Sequence, residues 1–212
     1  MAMDKNQLNA LLSGKTPEQK KVIKYFNQIG GCLSKPMTDA EYDAMVAQQL
    51  NSINFRARAL DKIGLDESEV NEIAPVNFHG YVYKGNVYAL LGKDNKWRSS
   101  AYQVSWIFFS ATQVYFYQYT FNMDEGSKKE TTEEYFYKDI TNFSATNESI
   151  EKRIPKSSCT GAVTYSNIMK EYDEFTIVVP GDKMYCSLTK TDTTEDSIKG
   201  MKALLREKKN NG

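Results

Sequence analysis

Tyr102-Gln-Val-Ser-Trp106-Ile-Phe-Phe109, Gln113-Val-Tyr-Phe-Tyr-Gln-Tyr-Thr-Phe121 and Glu134-Tyr-Phe-Tyr137 decide the fold class. Aromatic and β-branched residues at this density predict strands, and the short breaks between the runs predict hairpins. A meandering antiparallel sheet therefore occupies the centre of the chain. Helical patterns flank this centre at both ends, which makes the fold class α+β.

Downstream of Glu134, the stretch Glu148–Cys159 is polar and reads as a loop. Ala162–Met169, Glu174–Val179 and Lys183–Leu188 read as three further strands, with Pro180-Gly181 as a turn. Asp192-Thr-Thr-Glu195 resembles a capping box that opens a last helix, with Ile198, Met201, Leu204 and Leu205 as its apolar stripe. Upstream, Lys93-Asp-Asn-Lys96 is a turn and Gly80–Leu91 a first strand.

Before Pro75 the period changes to that of helices. Leu8–Leu12 is a weak helix. Thr16-Pro17-Glu18-Gln19 is a capping box with Pro at the first helical position, and Gly30-Gly31 is its stop. Thr38-Asp-Ala-Glu41 opens one long helix whose stripe runs from Tyr42 to Ile63, with Gly64 as its C-terminal stop. The expected division is a helical region, 1–74, and a β-rich region closed by a helix, 78–209.

Composition narrows the function classes. The chain has 212 residues, with 41% hydrophobic and 25% charged, ordinary for a globular protein. Lys plus Arg equal Asp plus Glu at 27 each. This zero balance argues against nucleic acid, whose binding needs excess positive charge, and against a membrane surface as a partner. Cys32, Cys159 and Cys186 have no paired spacing and read as reduced thiols, and the first residues lack an apolar leader. The expectation is a cytoplasmic protein.

Seven antiparallel strands followed by one amphipathic helix resembles the order of a pleckstrin-homology-like (PH-like) domain. Thr132-Glu-Glu-Tyr135-Phe-Tyr137-Lys-Asp139-Ile140 is similar to the strand of bacterial PH-like domains that runs into an aromatic-x-Asp-Ile turn. Ile198-Lys-Gly-Met-Lys-Ala-Leu-Leu205 looks like their terminal helix. The resemblance implies a partly open antiparallel β-barrel over 78–209, closed at one end by the helix. A lipocalin-like meander shares much of this signal.

Phosphoinositide-binding PH domains place a Lys, then Lys/Arg-x-Arg, around the first hairpin. Lys93 and Lys96-Trp97-Arg98 match that spacing, so Lys93, Lys96, Trp97 and Arg98 are candidate ligand-binding residues. Against this, Asp94 sits inside the loop, and a solvated turn with Trp97 packed on the barrel rim explains the same residues. Tyr115, Tyr117 and Tyr119 share one strand face and are a candidate interaction surface. The preferred explanation is that this face lies under the N-terminal helices, which need somewhere to bury their stripes.

His79 is the single histidine and reads as structural, because metal sites and nucleophilic triads need further ligands or a base beside Ser or Cys. The carboxylate pairs Glu133-Glu134 and Asp173-Glu174 read as solubilising edges. No nucleotide-binding motif occurs, and no catalytic residue, metal or cofactor is assigned. The expected function is non-catalytic binding of a protein or peptide at the barrel edge or the aromatic face. The same edge can pair with a second copy of the chain. An anionic headgroup or phosphate at the first hairpin is the alternative, and an enzyme ranks last.

Overall fold

A computed structural model of the chain describes residues 5–29, 36–70, 73–157, 163–189 and 191–211. Four helices come first: α1 (Lys5–Leu12), α2 (Pro17–Phe26), α3 (Asp39–Asn51) and α4 (Phe55–Ile63). Nine strands follow: β1 (Val76–Val82), β2 (Ala89–Leu91), β3 (Trp97–Ser99), β4 (Ala101–Phe109), β5 (Gln113–Asn122), β6 (Lys128–Phe136), β7 (Asn142–Ser157), β8 (Val163–Val179) and β9 (Asp182–Leu188). Helix α5 (Asp192–Asn211) is the last element among the described residues. The architecture is mixed α+β.

Both capping boxes form. Thr16 Oγ1 accepts the Gln19 amide at 3.2 Å while Gln19 Oε1 accepts the Thr16 amide at 2.9 Å, and Thr38 and Glu41 repeat the arrangement. The long helix expected over residues 38–63 is instead two. Ser52 Oγ donates to the Gln49 carbonyl at 2.8 Å, and Asn54 Oδ1 accepts the Ala57 amide at 3.2 Å. These short polar side chains offer the backbone alternative partners, so one helix ends and a second is capped within three residues. Gly64 closes α4 in the left-handed region, as expected. The expected Gly30-Gly31 stop lies outside the described residues.

Three antiparallel sheets result: β1-β4-β5-β6, β2-β3 and β7-β8-β9. None closes into a barrel. The stretch expected as a loop, Glu148–Cys159, is strand up to Ser157, and β8 is one strand where two were expected. Its ladder runs unbroken from Asn142↔Val178 to Ser157↔Val163. Ile150 and Ile154 lie on one strand face among charged neighbours, and Pro155 sits on a strand that pairs on one side only, where a missing amide is tolerated.

The four-stranded sheet is covered on both faces, which explains why β4 and β5 carry few polar residues. On one face Tyr102, Val104, Phe108, Tyr117 and Phe121 pack with Val22, Phe26, Tyr42, Phe55 and Leu60 of the helices. The helical region thus shares a core with the sheet. On the other face Phe78, Ile107 and Phe116 meet Phe175, Ile177 and Met184 of the second sheet. Met201 and Leu205 of α5 enter this second core, whereas Leu204 is only half-buried. The cap of α5 falls one residue earlier than expected, since Thr191 Oγ1 accepts the Thr194 amide at 3.1 Å.

One glycine sets how the sheets cross. A Cβ on Gly80 would stand 3.0 Å from the Leu188 carbonyl carbon. There the Thr189 amide donates to the His79 carbonyl at 3.0 Å, joining the end of β9 to β1. Among the described residues, no helix is long and apolar enough to cross a membrane.

Candidate functional site

The basic hairpin forms where expected, but its arginine faces inward. Arg98 is 3% exposed. Its Nε and Nη2 donate to the two carboxylate oxygens of Asp43 on α3, both at 2.7 Å. Its Nη1 and Nη2 donate to Asp94 at 2.9 and 2.8 Å, and Nη1 also reaches the Lys96 carbonyl at 3.2 Å. A guanidinium has five N–H donors, and all five are used. In this arrangement Arg98 has no N–H left over for a phosphate. The bond from Arg98 also holds the Asp94 carboxyl well below the usual carboxylate range.

The same turn is fixed from the helix side. Asp39 accepts the Lys93 amide at 2.8 Å through Oδ2 and the Tyr25 hydroxyl at 2.8 Å through Oδ1. A Cβ on Gly92 would stand 2.7 Å from both the Asp39 and Asp94 carboxylates, so a side chain there would have to displace the groups of the clamp. Asn95 takes the turn through the left-handed region at φ 59°. Lys93 and Lys96 keep exposed side chains, and Trp97 is half-buried.

The tyrosine stripe lies against the helices, so it is not an exposed interaction surface. Tyr115, Tyr117 and Tyr119 are all buried. Tyr119 meets Phe55 with ring centroids 5.4 Å apart. Tyr117 donates to Glu130 at 2.8 Å, and Arg58 holds Glu130 through two bonds of 2.7 Å. The arginine bond brings the Glu130 carboxyl down to about 2.

His79 Nδ1 lies 2.6 Å from the Tyr102 hydroxyl, and burial lowers its pKa. Cys186 belongs to the core on the other face of the sheet, where burial pushes its thiol up to about 11. Cys32 and Cys159 fall outside the described residues. Among the described residues no group of His, Cys, Asp and Glu is arranged to hold a metal ion.

A cleft of about 460 Å³ opens between the first hairpin, the end of β1 and the middle of β8. Tyr81, Tyr83 and Tyr172 line it together with Trp97, and Lys96 and Lys170 stand among its lining cations. Tyr83 is the shared neighbour, 6.5 Å from Tyr81 and 6.1 Å from Tyr172 between ring centroids. Each hydroxyl is tied down. Tyr81 donates to Asp43 at 3.3 Å, Tyr83 to the Trp97 carbonyl at 3.1 Å and Tyr172 to Glu148 at 2.8 Å. Lys170 Nζ lies 5.1 Å from the Tyr83 ring centroid, and burial lowers its pKa.

Two of the four expected hairpin residues, Lys96 and Trp97, thus line a common cleft, in which Tyr81 and Trp97 are half-buried and Tyr83 and Tyr172 are buried. Lys93 does not line it, and Arg98 borders it as a clamp. Sequence reasoning missed Tyr81, Tyr83, Lys170 and Tyr172. The alternation of Tyr81 and Tyr83 before a glycine was the available signal, but Tyr172 lay in a gap between two expected strands.

No protein-family model, no curated protein and no solved structure matches this chain.

Proposed function

We propose that this protein is a non-catalytic binding protein, and that a peptide segment of a partner protein seats in the Tyr81–Tyr83–Trp97–Tyr172 cleft. The observation that carries this reading is the fixed aromatic lining. Three tyrosine hydroxyls are bonded within the protein, so the rings are ordered before any ligand arrives. Half-buried Tyr81 and Trp97 offer the contact area over a floor of buried Tyr83 and Tyr172, and rings ordered beforehand dock at little entropic cost.

The strand edges support this choice of site. The open edge of β6 carries Lys128, Lys129, Glu130, Glu133 and Glu134, a pattern that discourages strand addition. Side chains already occupy part of β9: Gln118 Nε2 donates to the Tyr185 carbonyl at 2.5 Å, and Gln103 Oε1 accepts the Ser187 amide at 2.9 Å. The order of strands followed by a terminal helix supports a PH-like relationship for residues 78–209, and a cytoplasmic setting is part of the same proposal. With Arg98 committed, headgroup binding at the hairpin would rest on Lys93 and Lys96.

Selection of displayed dodecapeptides on the full chain tests the reading, with Trp97→Ala and Tyr172→Phe as comparison proteins. Peptides that bind the wild type and lose binding to Trp97→Ala are expected. Tyr172→Phe, which keeps the ring, should retain most of the binding. No enrichment, or equal binding to Trp97→Ala, would refute it. Pelleting with anionic liposomes, lost on Lys93→Gln plus Lys96→Gln, would favour the headgroup instead.

A further inference from the structure

The four-stranded sheet runs from β1, which the end of β9 meets at His79, to β6, which has no strand beyond it among the described residues. Helix α4 packs over β4 and β5 and leaves β6 outermost. At one end of β6 the Asn122 amide donates to the Ser127 carbonyl at 2.9 Å, and at the other the Tyr137 amide donates to the Thr112 carbonyl at 3.2 Å. The register between these bonds is unbroken, so the odd-numbered residues of β6 turn their backbone groups towards β5. Lys128, Glu130, Thr132 and Glu134 turn theirs to the open edge. The side chains are arranged about Thr131, with Lys128-Lys129 before it and Glu133-Glu134 after it. Lys128, Lys129 and Glu134 are exposed and Glu133 is half-buried. Glu134 spends one oxygen on Gln113 Nε2 and keeps the other.

We infer that β6 pairs with β6 of a second copy of this chain, antiparallel across a two-fold axis at Thr131, which joins two four-stranded sheets into one. The charges on this edge oppose a strand that lacks their complement, but the same strand reversed supplies it. Lys128 then lies opposite Glu134 of the second copy and Lys129 opposite Glu133 of the second copy, and the symmetry repeats both pairs. The outward amides and carbonyls of Lys128, Glu130, Thr132 and Glu134 meet one another, as an antiparallel ladder requires. Phe136, 47% exposed, comes to the β5–β6 turn of the second copy. Neighbouring registers fail. An axis between two residues sets outward backbone groups against inward ones. An axis at Lys129, Glu130 or Glu133 sets that residue against its own copy, and one at Thr132 sets Glu130 against Glu134. Like charges directly opposite each other destabilise a sheet, so charge selects the Thr131 axis.

Sedimentation velocity of the full chain over a concentration series, with native mass spectrometry of mixtures, tests the pairing. The wild type should pass from monomer to dimer as concentration rises. Lys128→Glu with Lys129→Glu sets like charges against each other throughout, and so does Glu133→Lys with Glu134→Lys. Each double change should weaken the dimer at least about tenfold. Mixing the two variants should restore it as a heterodimer, because every opposed pair again has opposite signs. Thr132→Pro removes an amide that β5 does not use, so the monomer should keep its circular dichroism while the dimer is lost. The inference is overturned if the wild type stays monomeric up to about 1 mM. It is equally overturned if the dimer survives either charge reversal or Thr132→Pro, or if the mixed variants form no heterodimer. None of these changes touches the aromatic cleft, so the binding role keeps its own test.

Discussion

Replacing Arg98 with Met should destabilise the protein without touching any exposed cation. The arginine side chain is 3% exposed and makes five hydrogen bonds. Taken singly, bonds to charged groups contribute about 1.5–3 kcal/mol each, and five would exceed the stability of many whole domains. Two terms reduce the sum. Asp43 and Asp94 have side chains 48% and 39% exposed, so both regain water when the guanidinium leaves. The desolvation cost of the arginine also disappears, and Met keeps the packing of the aliphatic stem. The net loss should be about 2–3 kcal/mol. In a chain of this size that lowers Tm by about 4–12 °C. Arg98→Lys should lose nearly as much, because an ammonium cannot fork between two carboxylates. Thermal and urea unfolding of the two variants supply the measurement. A loss within surface scatter, about 0.5 kcal/mol, would refute the clamp and return Arg98 to the ligand-binding candidates.

Two carboxylates should show opposite effects of pH. Arg58 depresses Glu130 to about 2, so its contribution is complete above the unfolded value of about 4.3 and is lost as pH falls through about 2. Glu130→Gln should therefore be less stable than wild type at pH 7, with the gap closing across that window in acid unfolding. Asp124, at the β5–β6 turn, is buried with Oδ1 lacking a partner, and burial raises its pKa. A raised carboxylate pKa removes stability as pH rises, so Asp124→Asn should be more stable than wild type at pH 7 and equal to it in acid. A neutral-pH loss in urea midpoint would contradict that. In α5, Leu205→Ala should cost about 2–5 kcal/mol, the range for a core truncation, and half-buried Leu204→Ala distinctly less. Equal losses would show that the helix does not pack as described.

The elements legible in the sequence are those whose signal is local. Thr16 and Thr38 announce their helices because a cap and its partner lie three residues apart. β4 and β5 stand out because both of their faces are buried, leaving few polar interruptions. The long β7–β8 hairpin was not legible for the converse reason. Glu151, Lys152 and Arg153 are polar because β7 is largely exposed, and only their pairing with Met169, Ile168 and Asn167 of β8 makes them strand. The break at Ser52–Asn54 was hidden beneath a continuing apolar stripe. At the site, Lys96 and Trp97 stood out by spacing, but their spacing could not say that Arg98 would turn inward. That depends on Asp43, which is 55 residues away and on a helix whose docking no local pattern encodes. Tyr172 reaches the cleft only because β8 runs on through Lys170–Asp173.

Hydrogen–deuterium exchange of the full chain, alone and with the tightest peptide from the display selection, tests the central claim most directly. The account predicts added protection in three separated segments, around residues 81–83, 95–98 and 170–173, with the β6 edge at 128–136 unchanged. Protection confined to β6, or none in those three segments, would contradict a binding role for the aromatic cleft.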